Sequence, residues 1–282
     1  MFNLANRTHP LKIREFWFLG CHVGLLAGLG WYVATEPSQL GSILFIFLSA
    51  ILAVSFHEAG HAYFAFLGGD WTVRGAGYLT LDFRRYVHPI LTLLFPLLFF
   101  VIGGIPLPGG AVHIRSEYIK SFLMRILMCL GGVIGNMVFV CILILIKKVL
   151  VPYPVSSELL SCLDFLLYLN VCMIVFNLLP VPPLDGFNVL TNFFPQEAAQ
   201  NLRRVAGQFG FLAVAYLIFF DNPVIGAVWE FVQTVSVDLG CDMDNVRKGY
   251  ELAKVQNLSG ITIPEAKEFL NRLLVQFNSF IN

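Results

Sequence analysis

Charge is what this chain has least of: 13% of its residues are Asp, Glu, Lys or Arg, about half the share usual in a soluble domain. Its 18 basic residues are balanced by 18 acidic ones, so there is no surplus to hold a polyanion, and nucleic acid is not an expected partner. Cysteine is scarce as well. Of the six, Cys21, Cys129, Cys141, Cys162 and Cys172 fall within apolar runs and Cys241 does not, with no paired spacing. That pattern argues against a disulfide framework or a thiolate metal cage, and the cysteines read as small buried hydrophobes. Internal repeats and low-complexity stretches are missing too. The first apolar run follows basic residues, as in a signal peptide, yet it contains Trp17 and Trp31 and lacks an A-x-A-like cleavage site, so it reads as a retained span.

What the chain has in abundance is apolar length, with 57% hydrophobic residues and a mean hydropathy of +0.74. These values describe an integral membrane protein. A span needs about 20 mainly apolar residues, and runs of that kind lie at 16–34, 41–67, 88–105, 120–146, 159–179 and 207–236. The run 88–105 is short and interrupted by Pro96 and Gly103-Gly104, while 207–236 is broken by Asp221-Asn222-Pro223. Between the second and third runs, "WTVRGAGYLTLDFRRYV" is rich in β-branched and aromatic residues and predicts a short sheet or hairpin over 71–83; "IPLPGGAVHIR", 105–115, predicts a second extended piece. Past residue 238 the chain turns polar. Thr262 and Glu265 form a capping box ahead of Leu270, Leu273, Leu274 and Phe277 at helical spacing, an amphipathic tail.

The expected fold is therefore an all-α polytopic membrane protein of about six transmembrane segments, with a small membrane-associated β element between the second span and the next core helix. Its parts are an N-terminal segment and first span (1–40), a membrane core (41–195), C-terminal membrane segments (196–237) and the amphipathic tail (238–282).

Inside the second run sits "HEAGH", 57–61, an anomaly because an ionisable group at the centre of a bilayer helix costs roughly 2.5–3.5 kcal/mol. On a helix His57 and His61 project from one face a turn apart, where both rings can reach one Zn²⁺ at about 2.0–2.1 Å. Glu58, between them, can hold and deprotonate the water that such a metal polarises. A chance match in a chain of this length has odds of roughly one in a hundred or less on average residue frequencies. A hydrolytic zinc commonly takes a third protein ligand. His88, Glu117, Asp164, Asp185 and Asp221 lie in or beside the spans, and of these Asp185 has a backbone context suited to presenting a carboxylate. Pro180, Pro182 and Pro183 in "NLLPVPPLDG", 177–186, stop the helix and leave unwound chain, tolerable at membrane depth only where buried in protein or lining a wet cavity. Asn177 precedes it on the same helix with an amide able to donate to a substrate backbone.

With these two elements the chain resembles the site-2 proteases, intramembrane zinc metalloproteases. The resemblance rests on HEAGH, on NLLPVPPLDG matching the family's N-x-x-P-x-P-x-L-D-G element, and on "GGVIGN", where Gly132 and Asn136 match a Gly-Pro-x-x-Asn element but Val133 replaces the proline. It covers roughly 41–195. It implies zinc held by His57, His61 and Asp185, Glu58 as general base, Asn136 and Asn177 as substrate-binding residues, and cleavage of a transmembrane protein substrate within the lipid bilayer. The extended segments resemble the family's β element, whose free edge pairs with unwound substrate. His113 on the second of them is expected to be structural, and His88 interfacial. There is no insertion the size of a PDZ domain, the filter some family members carry.

Both metal motifs lie toward the C-terminal ends of their helices, so the second and fifth runs must point the same way, with 88–105 re-entrant or returned across by 106–119. Arg7, Lys12, Arg14, Arg74, Arg84 and Arg85 put the N-terminus and the metal-proximal ends on the cytoplasmic side; Lys147-Lys148 conflicts with that assignment. A rival of another class is a non-hydrolytic membrane metal carrier using the same His/His/Asp set, for which repeats and further ligands along a path would be expected. An inert zinc scaffold is a third, and it gives no role to Glu58.

Overall fold

The computed structural model describes residues 13–85, 112–219 and 223–253. Nine α-helices are found among them: α1 (Trp17–Thr35), α2 (Gln39–Gly68), the single turn α3 (Thr72–Gly75), α4 (Phe122–Leu150), α5 (Ser157–Asn177), the short α6 (Asp185–Thr191), α7 (Gln196–Phe219), α8 (Pro223–Asp238) and α9 (Met243–Ala253). Four of these, α1, α2, α4 and α5, are each long and apolar enough to cross a membrane, and they coincide with the first, second, fourth and fifth expected runs. Counting α8 with α9 as one span bent by 110° makes five. The sixth run, 207–236, is divided between α7 and α8. The run 88–105, His88, Asp221 and the tail beyond 253 lie outside the described residues.

Serines set the starts of the core helices. Ser38, Ser121 and Ser156 each accept a hydrogen bond from the main-chain N–H three residues on, capping α2, α4 and α5. Ser156 Oγ also donates to Val33 O at 2.7 Å, tying the end of α1 to the start of α5. At the other end of α2 the chain leaves through Gly69 at φ 113°, a conformation that favours glycine.

Packing pairs fix the directions. Gly60 faces Gly131 and Phe56 faces Gly135, so α2 and α4 are antiparallel; Asn136 meets Met173 and Lys147 meets Asp164, so α4 and α5 are antiparallel as well. Hence α2 and α5 run the same way, as the two metal motifs require. The main core lies among these three helices, with Ile46, Leu166, Tyr168 and Val171 buried, and α8 and α9 add Val232 and Val246. A smaller cluster, Ala62, Ala65, Val73 and Ile119, closes the metal-motif end.

The β element expected over 71–83 is not there. These residues form α3, a series of turns and a 3-10 turn at Phe83–Arg85, and there is no strand among the described residues. Local chemistry overrides β propensity. The Asp70 carboxylate accepts from Thr72 N at 3.0 Å and from Thr72 Oγ1, which starts a helical turn, and Gly77 at φ 81° turns the chain again. Of the second expected segment, 112–115 is irregular and the remainder lies outside the described residues. Asp70 anchors this piece too, its Oδ2 accepting from Arg115 N at 2.7 Å.

At the far end of the bundle Lys147 is not a free surface cation. It donates to the fully buried Asp164 and to Gly240 O at 2.6 Å, and Asp164 also accepts from Asn245 Nδ2 at 2.9 Å. The cluster joins α4 and α5 to the α8–α9 turn. Gly249 of α9 lies against the main chain of Ser161 on α5.

Candidate metal centre

The centre is assembled from α2, α4 and the start of α6. His57 and His61 stand one helical turn apart with their Nε2 atoms 3.2 Å from each other. Asp185, at the N-terminus of α6, brings Oδ2 to 3.5 Å from His57 Nε2 and Oδ1 to 3.4 Å from His61 Nε2. It can do so because Gly186 lets α6 fold back onto the carbonyls of Leu178 and Leu179, a space that any Cβ would fill. The other end of α6 is tied down by Arg203 of α7, whose Nη2 donates to the buried Thr191 Oγ1 at 2.9 Å. Asn192 follows, donating to Asn188 O at 2.8 Å and to Cys129 Sγ of α4 at 3.5 Å.

The outward nitrogens fix the tautomers. His61 Nδ1 lies 2.7 Å from Met128 O, an atom that can only accept, so that nitrogen carries the proton. His57 Nδ1 lies 3.2 Å from Asn136 Oδ1 and donates likewise. Both Nε2 atoms are therefore bare lone pairs, and they face each other and a carboxylate. Asp185 Oδ2 is buried and has no hydrogen-bond partner among the described residues. Three acceptors converge with no donor between them, an arrangement that a cation satisfies. Ligand atoms about 2.0–2.1 Å from a tetrahedral zinc stand roughly 3.3 Å apart, close to the spacings found here, so the residues fit the metal.

Gly132 of α4 makes the room: a Cβ there would run into His57 Nε2 and His61 Nε2. Glu58, on α2 between the two histidines, is 5% exposed and near His61 and Asp185, with the Val112 amide at its carboxyl group. Asn177 is half-buried at the end of α5. Asn136 is 0% exposed, and its amide is committed to His57 and to Met173 Sδ, the latter at 3.6 Å. Of the other ligand candidates among the described residues, Asp164 is at the opposite end of the bundle in the Lys147 pair and Glu117 is exposed, as is His113.

Known proteins resemble this chain over most of its length. The chain is 34% identical over 208 residues, covering 74% of its own length and 78% of the relative's, to the protein named "Putative zinc metalloprotease Rip2" of Mycobacterium tuberculosis H37Rv. The chain belongs to peptidase family M50, the site-2 proteases. Within the family, the protein of the same name from Mycolicibacterium smegmatis is 33% identical over 69% of this chain and 74% of its own. "Putative zinc metalloprotease YwhC" of Bacillus subtilis is 26% identical over 64% of this chain and 81% of its own. The sequence model described as Peptidase family M50 matches residues 153–220, which include α5, Asp185 and the unwound link between them. No solved structure matches the chain. The protein is a zinc protease with several membrane-crossing helices.

The sequence pattern leaves out several features of the centre. Met128 takes part through its carbonyl, which no side-chain pattern reports. Asp70 and Arg203 hold the flanking segments through contacts distant in sequence. The glycines at 131 and 135, four apart, do carry a signal, the small-x-x-x-small spacing of closely packed membrane helices.

Proposed function

We propose that this protease hydrolyses peptide bonds of transmembrane substrate helices inside the bilayer, with zinc held by His57, His61 and Asp185. The observation that carries the reading is the convergence of three donor-free acceptors, two of them on α2, a helix apolar enough to cross a membrane, and the third on the short α6 beside it. When bound, the ion supplies a Lewis acid that makes water a nucleophile near neutral pH. Glu58 takes the proton from that water and delivers it to the leaving amine, a role its burial beside the two histidines supports. Asn177 donates its amide to the substrate main chain, and the unwound stretch that follows it keeps lipid away from the cut.

The metal end of the bundle is assigned to the cytoplasmic side. Arg74, Arg84, Arg85, Arg115, Lys120 and Arg125 lie in or beside the loops at that end. Lys147-Lys148, at the opposite end, run against this assignment; of the two, Lys147 is drawn into the ion pair with the buried Asp164 and Lys148 is exposed. Membrane lipid and a membrane-embedded protein substrate are the partners. A carrier reading lacks support, since no second His/Cys/Asp/Glu group able to hold a metal occurs among the described residues. The test is cleavage of a single-span model substrate in proteoliposomes by wild type and by Glu58→Gln. Equal rates would sink the proposal.

A further inference from the structure

Asn136 sits in the middle of α4 with no exposed surface, so substrate cannot reach it while the bundle is closed. We infer that Asn136 is a positioning residue for His57, holding the imidazole with its proton on Nδ1 and its bare Nε2 aimed at the metal, and that it is not a clamp on substrate. The inference rests on His57 being a ligand.

A neutral imidazole has one proton to place on two nitrogens, and a metal ligand must offer the bare one. An acceptor on the opposite nitrogen decides which is bare, and it fixes the plane of the ring. For His61 that acceptor is the Met128 carbonyl, at 2.7 Å. For His57 it is the Asn136 side chain, at 3.2 Å, so this half of the centre can be altered by substitution. The Gly132 carbonyl is the other acceptor beside the ring.

A carboxamide can present either end, and only its oxygen suits His57 Nδ1–H. Met173 of α5 sets the choice: its sulfur accepts weakly and cannot donate, and it stands 3.6 Å from Asn136 Nδ2. Met173, Asn136 and His57 thus form a series across α5, α4 and α2. The residue at 133 plays no part in this series. Val133 is packed in the core, where it leaves Asn136 in register on α4, so the missing proline does not impair the positioning role.

The test uses the full chain in detergent with Asn136→Leu, which keeps the shape and removes the acceptor, and Asn136→Asp, which keeps an oxygen for His57. Zinc affinity is read by competition with a chelator, the ligand field by the visible spectrum of the Co²⁺ form, and turnover at saturating zinc by kcat and KM on a single-span substrate. Asn136→Leu is expected to lose about 10–100-fold in zinc affinity and to alter the cobalt spectrum, with KM unchanged. Asn136→Asp is expected to bind zinc as wild type does. Wild-type zinc affinity in Asn136→Leu, with the Gly132 carbonyl sufficing alone, overturns the inference. So does a raised KM at unchanged affinity, which is the mark of a substrate clamp, or an Asp variant as weak as the Leu one. Circular dichroism of the metal-free proteins checks folding, and Asn136→Ala replaces the Leu variant should the latter not fold. Full zinc retention in His57→Ala would instead remove the ligand assignment underneath.

Discussion

Gly60 of α2 and Gly131 of α4 meet main chain to main chain, and a Cβ on either would run into the carbonyl of the other. Small residues at such a crossing let two membrane helices approach closely. Here the closeness has a chemical purpose: it brings Met128 O within hydrogen-bonding reach of His61 and Asn136 within reach of His57.

Gly132→Ala is expected to weaken zinc binding, because the added methyl would press on both Nε2 atoms. Overpacking costs about 1–3 kcal/mol, and taken as metal affinity that is roughly 5- to 150-fold. Metal analysis after mild chelation measures it; undiminished zinc would mean that α4 can shift away from α2.

Glu58→Gln is expected to keep its zinc and lose cleavage by about 10²–10⁴-fold, the usual worth of a positioned proton-transfer group. Parallel metal analysis and rate measurement decide whether the carboxylate acts on water or on the metal.

Asp185→Ala is expected to lose both zinc and activity, whereas Asp164→Ala keeps the metal and loses stability. Removing Asp164 strands Lys147, and breaking a buried pair costs about 3–5 kcal/mol. Zinc content and thermal unfolding of the two variants separate a ligand from a structural anion; the assignment fails if both retain zinc.

Asn177→Ala is expected to slow turnover by about 10²–10³-fold, typical for loss of one preorganised donor, at unchanged zinc content. Loss of metal along with activity would place Asn177 in the wrong group of residues.

The centre was legible in the sequence to the extent that its chemistry is local. HEAGH shows itself because polar residues are costly in an apolar helix, and Asp185 because three prolines precede it. The four core spans were legible from apolar length alone. The loop over 71–83 was not, since its β-branched and aromatic residues carry strand propensity while Asp70, one residue outside that stretch, captures Thr72 and begins a helical turn. The partner of Asn136 was hidden for another reason: its contacts with His57 and Met173 exist only once α2, α4 and α5 have packed. Lys147 looked like an orienting surface charge because Asp164, 17 positions away, gives no sign in sequence that it neutralises it.

The four core helices are of unequal length, 30 residues in α2 and 29 in α4 against 19 in α1 and 21 in α5. At 1.5 Å per residue the long pair measures roughly 45 Å and the short pair roughly 30 Å, and only the short pair matches the hydrocarbon thickness of a bilayer. The excess of α2 over α5 falls at the metal end. Asn177 closes α5 one turn beyond Met173, level with the centre, while α2 and α4 continue past it with Tyr63, Leu67, Phe122 and Leu123 exposed. A bilayer meets such an overhang by thickening, or the helices meet it by tilting, at fractions of a kcal/mol per Å. Acyl-chain length then sets how much of that overhang lies in hydrocarbon. Short-chain lipids leave more of it outside the hydrocarbon and long-chain lipids cover more of it, so the strain borne by the metal end varies with membrane thickness while that borne by the short pair varies little.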